Sequence, residues 1–175
     1  NDCEQDCAGD WGGDALVDDC GVCNGGNADQ DSCGVCFGDG TSCLPNLISL
    51  GAATDSSLEV LYSSSTAISG FQFSLDGATA TGASGGAAED AGFEVSVGSV
   101  AVLGVSFTGN TIAAGEGLLT VLDIEITSNS ACLSGVVVSD SSGSGVDFQT
   151  GDCVDLNCEF DCAGVCNGDA VEDEC

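Results

Sequence analysis

Cysteine placement constrains this chain more than any other feature. Of 13 cysteines in 175 residues, Cys3, Cys7, Cys20, Cys23, Cys33, Cys36 and Cys43 crowd into 1–43. Cys132 stands alone, and Cys153, Cys158, Cys162, Cys166 and Cys175 crowd into the end. Such density belongs to an oxidising compartment, since a reducing cytosol keeps thiols unpaired. Acidic residues follow the same split, with ten in 1–43, eleven in 44–150 and eight in 151–175. Three segments result: a Cys/Asp-rich module at 1–43, a dilute centre at 44–153, and the start of a second Cys/Asp-rich module at 154–175.

The end of the chain repeats its beginning. CEFDCAG at 158–164 matches CEQDCAG at 3–9, an offset of 155, and Cys175 then matches Cys20. Within the head, Cys7, Cys20 and Cys33 are spaced by 13 and open similar phrases. This pattern reads as a window through a tandem array, or as a subunit whose tail meets another subunit's head. The expected partners are therefore further copies or adjacent repeats, joined head to tail.

Charge removes several functions. There is no Lys, Arg or His against 29 carboxylates, a formal net charge of −29. Nucleic acid is excluded, because phosphate binding needs basic side chains. An anionic membrane surface is excluded for the same reason, and no apolar stretch is long enough for membrane insertion. With no imidazole and no amine base, the usual hydrolytic and Schiff-base chemistries are absent. Asp123 and Glu125 would be the acid pair of a glycosidase, but positions two apart on one strand read more simply as a solvated face. The chain is expected not to be an enzyme.

The centre alternates with period two. Phe71, Phe73 and Leu75 face one way against Gln72, Ser74 and Asp76. Leu118, Thr120, Leu122, Ile124 and Ile126 line one face, with Asp123 and Glu125 opposite. Phe93, Val95 and Val97 repeat the pattern, as do Leu103, Val105 and Phe107. Eight or nine short strands and one helical turn near 86–92 predict an all-β fold, an antiparallel β-sandwich or jelly roll. Phe71, Phe73, Leu75, Leu122, Ile124 and Ile126 are its expected core.

The head cannot be held by burial. Trp11, Leu16, Val17, Val22, Val35 and Phe37 are its whole stock of larger apolar residues. A module this small needs staples. The CGVC pairs Cys20/Cys23 and Cys33/Cys36 have the spacing of a zinc site, yet four thiolates without a basic residue nearby favour disulfides. Seven cysteines allow three bridges and leave one to pair elsewhere, while Cys132 is expected to pair with Cys153. Trp11 reads as a local packing anchor, with a sugar platform as the rival.

Two resemblances add to this. SLEVLYSS at 57–64, ISGFQFSLDGA at 68–78 and AGEGLLTVLDIEI at 114–126 resemble the cohesin-like or carbohydrate-module-like sandwiches of bacterial surface proteins. That likeness implies a docking or carbohydrate-binding module. The Cys/Asp phrases are similar to thrombospondin type 3 repeats of secreted adhesins, although the strict DxDxDG phrase is missing. That likeness implies irregular modules stapled by disulfides and by several Ca2+ ions. Calcium takes six to eight oxygen ligands. The candidates are Asp6, Asp10, Asp14, Asp18, Asp19, Asp29, Asp31 and Asp39 in the head, with Asp161, Asp169, Asp173 and Glu174 in the tail. The resulting expectation is an extracellular, calcium-stabilised structural unit of a filament, adhesin or matrix protein, with a docking module as the alternative.

Overall fold

The computed structural model describes residues 4–156. Cys3, and the tail cysteines and acids from Cys158 to Cys175, lie outside the described residues. The chain divides into two compact units at Leu44/Pro45.

The second unit is an antiparallel β-sandwich. Its strands are β1 (Leu47–Ala53), β2 (Ser57–Ser64), β3 (Ile68–Asp76), β4 (Ala78–Ser84), β5 (Glu94–Val97), β6 (Val102–Val105), β7 (Gly115–Ile126) and β8 (Ser130–Asp140). Three two-residue strands follow: β9 (Gly145–Val146), β10 (Gln149–Thr150) and β11 (Val154–Asp155). One sheet runs β10-β1-β2-β7-β4 and the other β11-β8-β3-β6-β5, with β9 added beside β8. Only β1 and β10 pair in parallel. A single helical turn, α1 (Gly86–Asp90), lies between β4 and β5.

The alternation read from sequence places the core as expected. Phe71, Phe73, Leu122 and Ile124 are buried, while Leu75 and Ile126 pack against them partly buried. The rings of Phe71 and Phe73 stack at 6.1 Å, as do those of Phe71 and Phe93. A bulge between β2 and β7 shifts the register at Val60/Leu61 and brings Leu119 inward beside Thr120. Gln72, Asp123 and Glu125 are exposed as expected, and Ser74 is half-buried.

One strand runs in the opposite phase from that expected. In β6 it is Val102 and Gly104 that face the core, opposite Phe73 and Phe71. Leu103 therefore points outward and Phe107 lies beyond the strand, 81% exposed. The reason is the Phe71 ring, which lies where any side chain at position 104 would project. Only glycine fits there, and an inward glycine puts its apolar neighbour on the outside. Cys132 on β8 is bridged to Cys153 just before β11, the one pairing that the sequence placed correctly.

Candidate functional site

In the first unit, residues 4–43 contain no buried residue. Their order comes instead from a local device used three times. Asp6 accepts backbone N–H bonds from Ala8, Asp10 and Ala15. Asp18 accepts them from Cys20, Val22 and Asn27. Asp31 accepts them from Cys33, Val35 and Gly40. The donors stand two, four and nine positions after the aspartate in every copy, at 2.8–3.1 Å. A carboxylate that collects three amide hydrogens organises a whole turn, as an Asx turn does on a smaller scale.

Glycine is required where the loop folds over that carboxylate. A Cβ at Gly13, Gly25 or Gly38 would collide with the Oδ2 of Asp6, Asp18 or Asp31 respectively. The signal was present in the sequence as Asp with Gly three and seven residues later. The 13-residue cysteine spacing obscured it, because the structural copies begin at 6, 18 and 31 rather than at equal intervals. Cys7 follows its aspartate by one residue, whereas Cys20 and Cys33 follow theirs by two. A fourth, shorter version closes the hairpin between β8 and β9. There Asp140 accepts N–H bonds from Ser142 and Ser144 without any disulfide nearby.

Amide donors stabilise the ionised form. The Asp10 N–H does most to hold the Asp6 carboxyl below its ordinary value, with Ala15, Ala8 and Gly9 assisting. The Val22 N–H does the same for Asp18 and the Val35 N–H for Asp31. Asp39 is lowered chiefly by the Thr41 hydroxyl.

Two disulfides join consecutive copies, and a third ties the last copy to the residues that follow it. Cys7 pairs with Cys23 and Cys20 with Cys36, each across 16 residues, and Cys33 pairs with Cys43 across 10. Each CGVC pair is thus split between two partners. Trp11 stands where the second and third copies carry Cys23 and Cys36, as the bridges Gln5–Trp11, Val17–Cys23 and Gln30–Cys36 show. It is 72% exposed, so it is not a packing anchor. With no buried cluster in this unit, there is nothing for its ring to pack into.

Of the expected calcium ligands, those of the head lie within the described residues and those of the tail do not. Among the described residues no three acidic, Cys or His side chains are placed to share a metal ion. Amide hydrogens converge on Asp6, Asp18 and Asp31, an environment that suits an anion rather than a cation. Asp19 accepts a bond from the Asn27 side-chain amide.

The sandwich offers two contrasting outer faces. On the β8-β3-β6-β5 side, Val137, Gln72, Leu103 and Ser96 stand in one row across four strands. Val137 is 58% and Leu103 41% exposed, and the row carries no charge. Acids appear only at its margins, Glu94 opposite Val105 and Asp76 bonded to the Ser134 hydroxyl. On the other sheet Glu59, Asp123 and Glu125 point outward. Asp123 and Glu125 both lie exposed on that strand face.

Among solved structures, the sandwich is similar to a non-cellulosomal cohesin from Archaeoglobus fulgidus. The identity is 19% and the TM-score 0.45, over 61% of this chain and 86% of that one. It is also similar to the sixth cohesin of scaffoldin B from Acetivibrio cellulolyticus, solved in complex with a Cel5 dockerin mutant. There the identity is 18% and the TM-score 0.45, over 65% and 99% of the two chains. A Clostridium thermocellum cohesin, solved with a dockerin, matches at 12% identity and a TM-score of 0.44, over 62% and 88%. At these identities and scores the likeness says nothing about what this chain binds. No family model and no curated protein matches the chain. No helix among the described residues is long and apolar enough to cross a membrane. The four disulfides among the described residues mark a protein of an oxidising compartment.

Proposed function

We propose that the chain is a protein-docking module of a secreted or surface-attached protein, not an enzyme, and that its partner covers the outer face of the β8-β3-β6-β5 sheet. The observation that carries this reading is the uncharged row Val137–Gln72–Leu103–Ser96 on a molecule of net charge −29. Interface centres are depleted of charge, because a desolvated carboxylate without a partner is costly. The Val137–Gln72–Leu103–Ser96 row can be covered with Glu94 and Asp76 left at the wet rim, whereas on the other sheet Asp123 and Glu59 stand in the middle of the face. The test is affinity capture from the native secreted fraction. A partner retained by the parent chain should be lost by L103D/V137D and kept by E59Q/D123N. Both Leu103 and Val137 are exposed, so the double variant should fold. Retention by L103D/V137D would overturn the reading.

A second reading is favoured by the staples that join consecutive copies and by the phrase that recurs at an offset of 155. On it the module is a structural spacer in a head-to-tail assembly. Calcium would then go to carboxylates that hold no backbone turn, Asp10, Asp14, Asp19 and Asp29. In the tail the candidates remain Asp161, Asp169, Asp173 and Glu174. Native mass spectrometry under non-reducing conditions, with and without chelator, tests this. A discrete monomer indifferent to chelator would remove it.

A further inference from the structure

The three copies of the aspartate turn share one backbone position whose residue differs each time. Gly12, Asn24 and Phe37 each follow the small β-bridge, and each donates its N–H to a carbonyl eight residues earlier: Glu4, Leu16 and Asp29. All three are left-handed, with φ of 68°, 55° and 57°. Glycine and asparagine suit that conformation, whereas a residue with a bulky side chain is strained in it. Phe37 also gains nothing from packing, since it is 72% exposed in a unit without a core. A position that asks for Gly or Asn therefore holds a solvent-exposed aromatic ring. Strain of this kind persists at sites of function rather than by default.

The occupant is set by charge. Phe37 lies between Asp31 and Asp39, its N–H is tied to Asp29, and the whole chain contains no cation. A second copy would bring no cationic side chain to this ring. An exposed aromatic face on a chain of net charge −29 suits a guanidinium or ammonium group, which the ring quadrupole and the chain's negative field attract together. We propose that Phe37 is a recognition residue presented to an Arg- or Lys-bearing segment of another protein. This site belongs to the first unit and does not depend on the sheet-face reading.

The test uses the full, oxidised chain and an octa-arginine peptide, with affinity read by titration calorimetry. F37N leaves the charge at −29 and places at 37 the residue that position 24 already carries in the same conformation. General attraction to polycations is thus equal in the two chains, and the difference isolates the ring. F37N should bind the peptide roughly fivefold or more weakly, and F37W should bind like the parent. Amide exchange over 29–40 should be slower or unchanged in F37N, because the turn is relieved. Equal affinity of F37N and parent, no binding by the parent, or faster exchange in F37N would each overturn the assignment.

Discussion

Residues 4–43 and residues 47–156 solve the same problem in opposite ways. The sandwich buries nineteen apolar residues around Phe71, Phe73 and Leu122 and carries one bridge, Cys132–Cys153. The Cys/Asp-rich unit buries none and carries three bridges and three aspartate-centred turns. Where side chains can be taken out of water, apolar area supplies the stability. Where they cannot, cross-links restrict the unfolded chain and carboxylates satisfy the backbone. The lesson is that the acids of such a segment are not all free surface charge. Asp6, Asp18 and Asp31 are its structural centres.

The sharpest way to break this contrast is reduction. Each native bridge contributes about 2–4 kcal/mol, and the first unit has no buried residues to fall back on. Full reduction should therefore unfold 4–43 while the sandwich stays folded, as read by amide exchange in the two regions. Simultaneous loss of both would show that they are one cooperative unit. Next in size is F73A. It should cost the sandwich about 3–5 kcal/mol by leaving a cavity at a fully buried site, with no change in exchange at 4–43. Smaller again is D18A, which removes the acceptor of three amides. It should speed exchange at Cys20, Val22 and Asn27 and leave the copies at Asp6 and Asp31 protected. Matching effects at all three turns would mean that they are not independent local devices.

Acidification sharpens the comparison further. Asp6, Asp18 and Asp31 have folded-state values below those of the unfolded chain. Their contribution is complete above about pH 4, the ordinary carboxyl value, and is lost as pH falls through the depressed folded values. The first unit should loosen in that acid window, and the sandwich core, which contains no carboxylate, should lag behind it.

The sandwich was legible because its signal is redundant. Strict alternation in ISGFQFSLD and LLTVLDIEI puts Phe71, Phe73, Leu122 and Ile124 on one side whatever the neighbouring strands do. β6 was not legible, because Val102-Leu103-Gly104-Val105 alternates equally well in either phase. Only the Phe71 ring against Gly104 selects one of them. Cys132–Cys153 was legible by isolation, since no other cysteine lies within the centre. The pairing inside 1–43 was not, as seven cysteines at similar spacings satisfy several ladders. The roles of Asp6, Asp18 and Asp31 were hidden for a chemical reason. A carboxylate flanked by glycines looks alike whether it awaits a cation or caps its own amides, and the acids at 10, 14, 19 and 29 sit in the same phrases without the same bonds.

The most direct measurement is a pH titration of the aspartate carboxyl carbons in the oxidised chain by NMR. Asp6, Asp18 and Asp31 should titrate below the ordinary carboxyl value of about 3.9, with the Val22 and Val35 amide resonances moving at the same midpoints as Asp18 and Asp31. The depressed values should persist without divalent ions. Ordinary midpoints for these three, or depression seen only when calcium is added, would contradict the claim that the backbone itself holds them ionised.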